Sequence, residues 1–182
     1  MGAVALLLAA ALGPLAPPPA IDFGAVELGR AGVRTLAVSA DAARATGAGF
    51  SATAFTRGVL VVFEPYDLDD VDGELLLQMP TGPVRVALHG RGVDTIAPRV
   101  ALEAITTRGR TVTVRFSASD NDLVAACVLS AGGRELARSG WPSSTLRARV
   151  PGSARAPRIT VTAVDRAGNR AAATAAVRLG RR

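Results

Sequence analysis

The chain has 182 residues, 49% of them hydrophobic and 4% aromatic, which suffices for one or two small domains, each with its own core. Its 21 basic residues are all arginine and its acidic residues number 15, so the net charge is +6, and a single cysteine excludes an intramolecular disulfide. A phosphate-binding surface usually mixes lysine with arginine, so this arginine-only, alanine-rich composition argues against a nucleic-acid partner.

The first twenty residues predict an exported chain. An apolar run over residues 3–12 ends at Gly13-Pro14; it is shorter than the roughly twenty residues of a membrane-spanning helix and matches the core of a signal peptide. No basic residue precedes the run and no clear A-x-A cleavage site follows it. The proline-rich residues that follow it are expected to form an extended spacer. We therefore expect a secreted, periplasmic or cell-surface protein with no transmembrane span in the mature chain.

From residue 21 onward, short runs of β-type residues bounded by turn residues predict strands. Alternation of period two, with turns every eight to twelve residues or so, is typical of antiparallel sandwiches. The predicted fold class is all-β: two tandem immunoglobulin-like antiparallel β-sandwiches after an N-terminal hydrophobic segment. The predicted strands cover residues 34–39, 59–63, 74–79, 84–89, 99–102, 111–117, 125–129, 145–150, 158–164 and 171–178.

The joint between the two predicted units is GRGVDTIAPRV, residues 90–100, where glycines end one unit and Pro98 favours an extended connection. The predicted organisation is a signal peptide and spacer over 1–20, a first domain over 21–93 and a second over 94–182. Residues 1–94 carry 6 arginines and 10 acidic residues, a net charge of −4, whereas 95–182 carry 15 arginines and 5 acidic residues, a net charge of +10. This division indicates two units with different surfaces.

Five acidic residues crowd the stretch between Asp67 and Glu74, which could be a calcium loop, a catalytic centre or a solvated connection. Aligned with an EF-hand loop, Leu68 and Met79 occupy positions that need acidic ligands. A catalytic carboxylate pair needs a cleft that shifts the two pKa values apart. We interpret the stretch as a solvated turn joining two paired strands.

Several motifs of the first unit resemble those of the ASPM/SPD-2/hydin (ASH) family of the bacterial choice-of-anchor D type. The resemblance covers residues 21–94 and implies an immunoglobulin-like sandwich related to major sperm protein and pilus-chaperone domains, with no active residues to transfer. The segment SADAARATGAGF, residues 39–50, departs from the Asn-x-Gly turn usual in that family. The motifs are Ile21-Asp22-Phe23-Gly24, Val26, Leu28-Gly29, Val62-Phe63-x-Pro65, Gly73 and Val86-x-Leu88-x-Gly90-x-Gly92.

The second unit is similar to the bacterial immunoglobulin-like, fibronectin-type repeats of secreted proteins. The resemblance rests on Asp94-Thr95-x-x-Pro98, Ala118-Ser119-Asp120-Asn121 and Val164-Asp165-x-x-Gly168-Asn169. Such motifs occur in many unrelated surface proteins, so they imply a fold rather than a function.

Calcium is the one cofactor that the sequence suggests. In an immunoglobulin-like sandwich two loops and the start of the first strand meet at one end. Oxygen ligands could converge there, because Asp120 and Asp122 fall in the first loop, Asp165 and Asn169 in the second, and Asp94 in the connection before the first strand. The alternative is that these residues only stabilise turns by bonding to backbone amides.

Enzyme chemistry is not expected. His89 is the only histidine, and Cys127 lies in the apolar run LVAACVLS of the other predicted domain. The leading prediction is a non-enzymatic surface interaction or adhesion module with a protein or envelope-polymer partner. One alternative is a binding module for acidic envelope polymers; another is a structural subunit or chaperone-like partner that adds an edge strand. The candidate polymer-binding residues are Arg108, Arg110, Arg147, Arg149, Arg155 and Arg158.

Overall fold

A computed structural model describes residues 18–140, 143–152 and 155–180. The chain divides into two compact units, Met1–Val93 and Asp94–Arg182. Within the described residues every regular element is a strand, which confirms the all-β prediction. The apolar run over 3–12 and Trp141 lie outside the described residues.

Within residues 18–93 the first unit contains seven strands in two sheets. One sheet has the order β1-β7-β6-β3 and the other β2-β5-β4. The hairpins β4-β5 and β6-β7 each stay within one sheet, and the other connections cross between the sheets, as in an immunoglobulin-like sandwich. All pairs are antiparallel except β1 and β7, which run parallel. The strands are β1 Ala20–Glu27, β2 Gly32–Leu36, β3 Ala42–Thr46, β4 Phe50–Phe55, β5 Gly58–Phe63, β6 Asp70–Met79 and β7 Gly82–Val93.

The second unit is also a seven-stranded sandwich, with all pairs antiparallel. Its sheets have the orders β12-β9-β8 and β11-β10-β13-β14. Alternating residues of both sheets meet inside, with Val112, Val114 and Phe116 of β9 facing Leu129, Ile159 and Val161 in one buried cluster. The strands are β8 Arg99–Arg108, β9 Thr111–Ser119, β10 Val124–Ala131, β11 Arg134–Gly140, β12 Thr145–Arg149, β13 Arg158–Asp165 and β14 Arg170–Ala176.

Three phenylalanines form the centre of the first core. The ring of Phe63 stacks on that of Phe50 with centroids 4.6 Å apart, and Phe23 lies 5.7 and 5.8 Å from those two rings. Phe23 and Phe63 belong to the motifs that carry the ASH resemblance. These two motif residues therefore pack inside the sandwich, which is a structural rather than a ligand-binding role.

Four strands were absent from the predicted set, namely β1, β3, β4 and β11. β3 has the sequence AARAT and β11 the sequence RELARSG. Thr46 is the one β-branched residue of the two strands, and neither strand contains an aromatic residue, although both types are typical of strands. Both are edge strands held by the neighbouring strands β6 and β10. Pro19 and Ala20, predicted to end the spacer, already join the first sheet: Ala20 pairs with Ala87, whose backbone N–H donates to the carbonyl of Pro19 at 3.2 Å.

The interpretation of the acidic stretch as a turn between two paired strands is wrong. β5 pairs with β2 and β4, whereas β6 pairs with β3 and β7, so residues 64–69 cross from one sheet to the other. β6 begins at Asp70, four residues before the predicted start. Its acidic residues alternate with Val71, Gly73 and Leu75, so the acids point outward and the others inward.

Candidate functional site

The strand order of the second unit brings three carboxylates to one end of the sandwich. Asp94 precedes β8, Asp120 directly follows β9, and Asp165 is the last residue of β13. β8 and β9 are antiparallel, so the start of one lies beside the end of the other. One oxygen from each carboxylate lies within 4.8 Å of the other two.

Two of these carboxylates belong to buried residues, and each of the three has hydrogen bonds to only one of its oxygens. Asp94 is 7% exposed and Asp165 is 2% exposed. The Oδ1 of Asp94 accepts from the backbone N–H of Ile96 at 3.0 Å and from the side-chain amide of Asn121 at 3.2 Å. The Oδ1 of Asp165 accepts from the backbone N–H of Asn169 at 2.8 Å. The remaining oxygens, Oδ2 of Asp94, Oδ1 of Asp120 and Oδ2 of Asp165, are buried and accept no hydrogen bond.

The electrostatics of the cluster favour the binding of a cation. Burial raises the pKa of Asp120, and the nearby negative charges of Asp94 and Asp165 raise it further, although backbone hydrogen bonds from Asp122 and Asn121 oppose the shift. Like charges gathered at short range in a partly dry environment repel one another. A cation among the three oxygens would remove that repulsion.

Asp122 and Asn169, the other two predicted ligands, lie beside this cluster with other partners. The guanidinium of Arg166 donates to both carboxylate oxygens of Asp122, from Nε at 2.9 Å and from Nη2 at 3.2 Å. The side-chain amide of Asn169 donates to the backbone carbonyl of Asp94 at 3.0 Å. Both residues therefore join the loops around the cluster. Asn121, in the same loop as Asp120, orients the carboxylate of Asp94 through its side-chain amide.

Three of the six candidate arginines share the outer face of the sheet β12-β9-β8. Arg147 pairs with Thr113, and Arg149 with Thr111, which on its other side pairs with Arg108. Paired residues of antiparallel strands point to the same side, and the alternate residues Val112, Val114 and Leu146 are buried in the core. Arg115 extends the same face, which we name the basic sheet face: Arg108, Arg115, Arg147 and Arg149, with Thr106, Thr111, Thr113 and Thr145.

The other three candidate arginines lie elsewhere. Arg110, in the turn between β8 and β9, donates to the backbone carbonyls of Val150 at 3.0 Å and Pro151 at 2.9 Å, so its guanidinium closes a loop. Arg158 begins β13 in the opposite sheet, and Arg155 precedes it in the connection, where its carbonyl accepts from the N–H of Leu179. The chain position of an arginine thus did not reveal which sheet it joins.

The acidic residues of β6 face basic residues of β7. Asp72 is paired with His89, and the Oδ1–Nδ1 distance is 2.9 Å. The carboxylate of Asp70 lies 3.8 Å from Arg91, and that of Glu74 lies 2.5 Å from Arg85. All three pairs are exposed, so each stabilises the sheet only weakly.

Cys127 and His89, the residues considered for nucleophilic chemistry, belong to different units. Cys127 is buried in the second core, and this burial raises the pKa of its thiol, which is the opposite of what a nucleophilic thiolate needs. His89 is exposed on β7 of the first unit.

Comparisons with known proteins find only distant structural neighbours. The chain matches no protein-family model and no curated protein sequence. Fibronectin(III)-like modules of Clostridium thermocellum CbhA share 11% identity over 88% of this chain and 91% of that chain, with a TM-score of 0.45. The N-terminal four Ig domains of Dscam1 isoform 9.44 share 12% identity over 92% of this chain and 45% of that chain, with a TM-score of 0.49. Titin domains Z1Z2, solved in complex with telethonin, share 10% sequence identity over 88% of this chain and 93% of that chain, with a TM-score of 0.43.

At these identities and TM-scores the neighbours decide nothing about activity, and the immunoglobulin-like assignment rests on the strand order of each unit. The ASH relationship stays a resemblance. Across residues 18–180, leaving out the four undescribed positions within that range, no helix has the length and apolar character to cross a membrane.

Proposed function

We propose that this chain is an exported, non-enzymatic interaction module that holds acidic envelope polymers on the basic sheet face of its second unit. The observation that carries the proposal is the shared orientation of Arg108, Arg147 and Arg149, with Arg115 beside them, on the outer side of one sheet. Glu103 is the one acidic residue within β8, β9 and β12, and its carboxylate lies 3.9 Å from Arg115.

The geometry of a β-sheet gives this face a regular spacing of positive charge. Residues two apart on a strand lie about 6.6–6.8 Å apart, and neighbouring strands lie about 4.8 Å apart. Arg147 and Arg149 are two apart on β12, and Arg108 lies across the sheet from Arg149. Guanidinium groups bind carboxylates and phosphates in a bidentate manner, and the intervening threonine hydroxyls add hydrogen-bond donors. An extended polymer with repeated anionic groups fits such a face.

The test is co-sedimentation of the chain with isolated envelope fragments of its host at low and high salt. We expect pelleting at low salt that falls steeply as salt rises, since exposed charge–charge attraction is screened. The double variant Arg147→Gln with Arg149→Gln should bind about tenfold more weakly. Its matched control is Arg155→Gln with Arg158→Gln, which removes the same charge from other parts of the unit. If both double variants weaken binding equally, binding depends only on net charge, and the assignment of the basic sheet face is overturned.

A second candidate function is attachment to a protein through the first unit. The outer face of the sheet β2-β5-β4 exposes Val33 and Phe55, each at 48%, and Leu60 at 36%. Cross-strand pairing of Val33 with Val62 and of Leu60 with Thr35 places these residues on one side, and exposed apolar patches mark interaction surfaces. Salt-resistant pelleting that is lost in Val33→Ser with Leu60→Ser would favour this candidate. The edge-strand alternative stays a prediction.

A further inference from the structure

We propose that Asp94, Asp120 and Asp165 bind a calcium ion at the end of the second sandwich where the chain enters β8. The inference is independent of polymer binding, because none of the three residues belongs to the basic sheet face. It rests on two separate observations: the convergence of the three carboxylates and the presence in each of one buried oxygen that accepts no hydrogen bond.

The unsatisfied oxygens are the stronger of these observations. A buried carboxylate oxygen normally accepts a hydrogen bond, and burial of a charge without a partner is costly. Here Oδ2 of Asp94 and Oδ2 of Asp165 accept none, although both residues are more than nine-tenths buried. The buried Oδ1 of Asp120 is the third such atom. The other oxygen of each residue accepts a hydrogen bond, so the carboxylates are held in place with one oxygen left over.

The spacing of the cluster suits a calcium ion. Calcium binds oxygen ligands at about 2.3–2.6 Å, so two ligands of one ion lie at most about 5 Å apart. The ligand oxygens of the three aspartates all lie within 4.8 Å of one another. A donor set of carboxylates alone favours a hard cation over zinc or copper, which select imidazole and thiolate ligands. Calcium, with its irregular coordination, fits ligands drawn from three separate segments better than magnesium, which demands a near-ideal octahedron.

The surrounding contacts show what the ion would join. Asn121 and the N–H of Ile96 orient Asp94, while Asn169 bonds to the carboxylate of Asp165 through its N–H and to the carbonyl of Asp94 through its side chain. Arg166 and Asp122 connect the same two loops beside the cluster. A cation would thus tie the entry to β8, the β9–β10 loop and the β13–β14 loop together. We infer that calcium stabilises the second unit and has little effect on the first.

The test uses the full chain after treatment with a chelator, titrated with calcium or magnesium chloride up to about 5 mM. Cys127 supplies a readout confined to the second unit, because it is the only cysteine and is buried there. We expect calcium to raise the melting temperature of the second unit by at least about 5 °C at saturation and to slow labelling of Cys127 by a thiol reagent in mild urea. Direct binding of about one calcium ion per chain by calorimetry is expected as well.

Variants separate a cation site from a merely structural cluster. Asp120→Asn and Asp165→Asn keep the oxygen that accepts a backbone N–H but remove a charge, so without calcium each should melt at or above the wild-type temperature, and each should lose the rise with calcium. Asp122→Asn is the matched control, since it removes a neighbouring charge outside the cluster and should keep the rise. The absence of calcium binding and of Cys127 protection in the wild-type chain would overturn the proposal. Equal protection by magnesium would overturn the choice of calcium.

Discussion

The ring of Phe63 on β5 lies directly against Gly90 on β7, across the core of the first sandwich. A Cβ atom at Gly90 would stand 2.5 Å from Cε1 and 2.6 Å from Cδ1 of that ring, and Phe63 is fully buried. Gly73 on β6 has the same relationship with Phe50, whose Cδ2 would lie 2.7 Å from an added Cβ. The two glycines therefore leave the space in which the stacked phenylalanines fit.

Gly90→Ala is expected to destabilise the first unit by about 1–3 kcal/mol, because a fully buried ring must shift in a close-packed core. Urea unfolding of the variant and the wild-type chain measures the difference. Gly140→Ala is the matched control: an added Cβ there meets no atom within 4 Å, so the change should be neutral or stabilising by up to about 1 kcal/mol. A Gly90→Ala chain as stable as the wild type would contradict this prediction and show that the core of the first unit rearranges at little cost in free energy.

The sequence was sufficient for the fold class wherever strands alternate strongly, as in Val84–His89 or Thr111–Phe116, because one residue in two is driven into the core. It was insufficient for β3, whose inward residues Ala43 and Ala45 are too small to contrast with their neighbours. In β6 the alternation is present in DVDGEL, but aspartates such as Asp70 and Asp72 are as typical of a turn as of an exposed strand face. Those acids lie on the outer side of a strand whose alternate residues, Val71, Gly73 and Leu75, face inward, and Arg91 and His89 pair with them from β7.

The candidate cation site could be anticipated only in part. The order of loops in a sandwich indicates which end Asp94, Asp120 and Asp165 share. It does not distinguish them from Asp122, two residues from Asp120, because the hydrogen bonds from Arg166 to the Asp122 carboxylate depend on the folded structure. The arginines that share the outer face of a sheet could not be predicted either. Arg149 and Arg108 both pair with Thr111, and this pairing depends on the register between distant segments.

The pKa of His89 is expected to lie above its ordinary value of 6.5, chiefly because its ring nitrogen bonds to the carboxylate of Asp72, with further support from the charges of Asp22 and Asp70. A histidine whose pKa is raised on folding stabilises the native state below pH 6.5 and loses that contribution as the pH rises through its folded pKa. Because the chain has one histidine, its ring resonance reports the pKa directly in an NMR titration.

Asp72→Asn supplies the control for this pH dependence. The amide cannot carry the charge that favours imidazolium, so the pKa of His89 should fall toward 6.5. The stability difference between wild type and variant should be greatest below pH 6.5 and shrink above the folded pKa. An unchanged His89 titration in the variant would contradict the assigned contact.

The thiol of Cys127 is expected to react only when the second unit opens. It is 3% exposed within the core, and burial raises its pKa, so both access and thiolate content are low. Labelling should be slow in native buffer and should accelerate with urea in parallel with unfolding of the second unit. Gly90→Ala, which perturbs the first unit, should leave this rate unchanged. Rapid labelling of the native chain would contradict the buried position.

The two hydrogen bonds from Arg166 to Asp122 should stabilise the second unit more than an ordinary surface ion pair. The Asp122 side chain is only 16% exposed and that of Arg166 37%, and the contact joins the β9–β10 and β13–β14 loops. Arg166→Ala is expected to cost about 1 kcal/mol or more, since it leaves a mostly buried carboxylate without its guanidinium. Arg166→Lys should recover part of that loss, because an ammonium keeps the charge but cannot form the bidentate contact.

Arg138→Ala tests whether burial is the reason that the Arg166–Asp122 pair stabilises the second unit. The guanidinium of Arg138 donates to the carboxylate of Glu135 at 3.0 and 3.1 Å, distances similar to those of the Arg166–Asp122 pair. The side chains of Arg138 and Glu135, however, are both about half exposed. Its removal should leave the urea midpoint of the second unit almost unchanged, because an ion pair in solvent contributes little to stability. Urea midpoints of the three variants, followed through Cys127 labelling, measure the comparison. Equal losses for Arg138→Ala and Arg166→Ala would show that the connection between the two loops adds nothing beyond a surface ion pair.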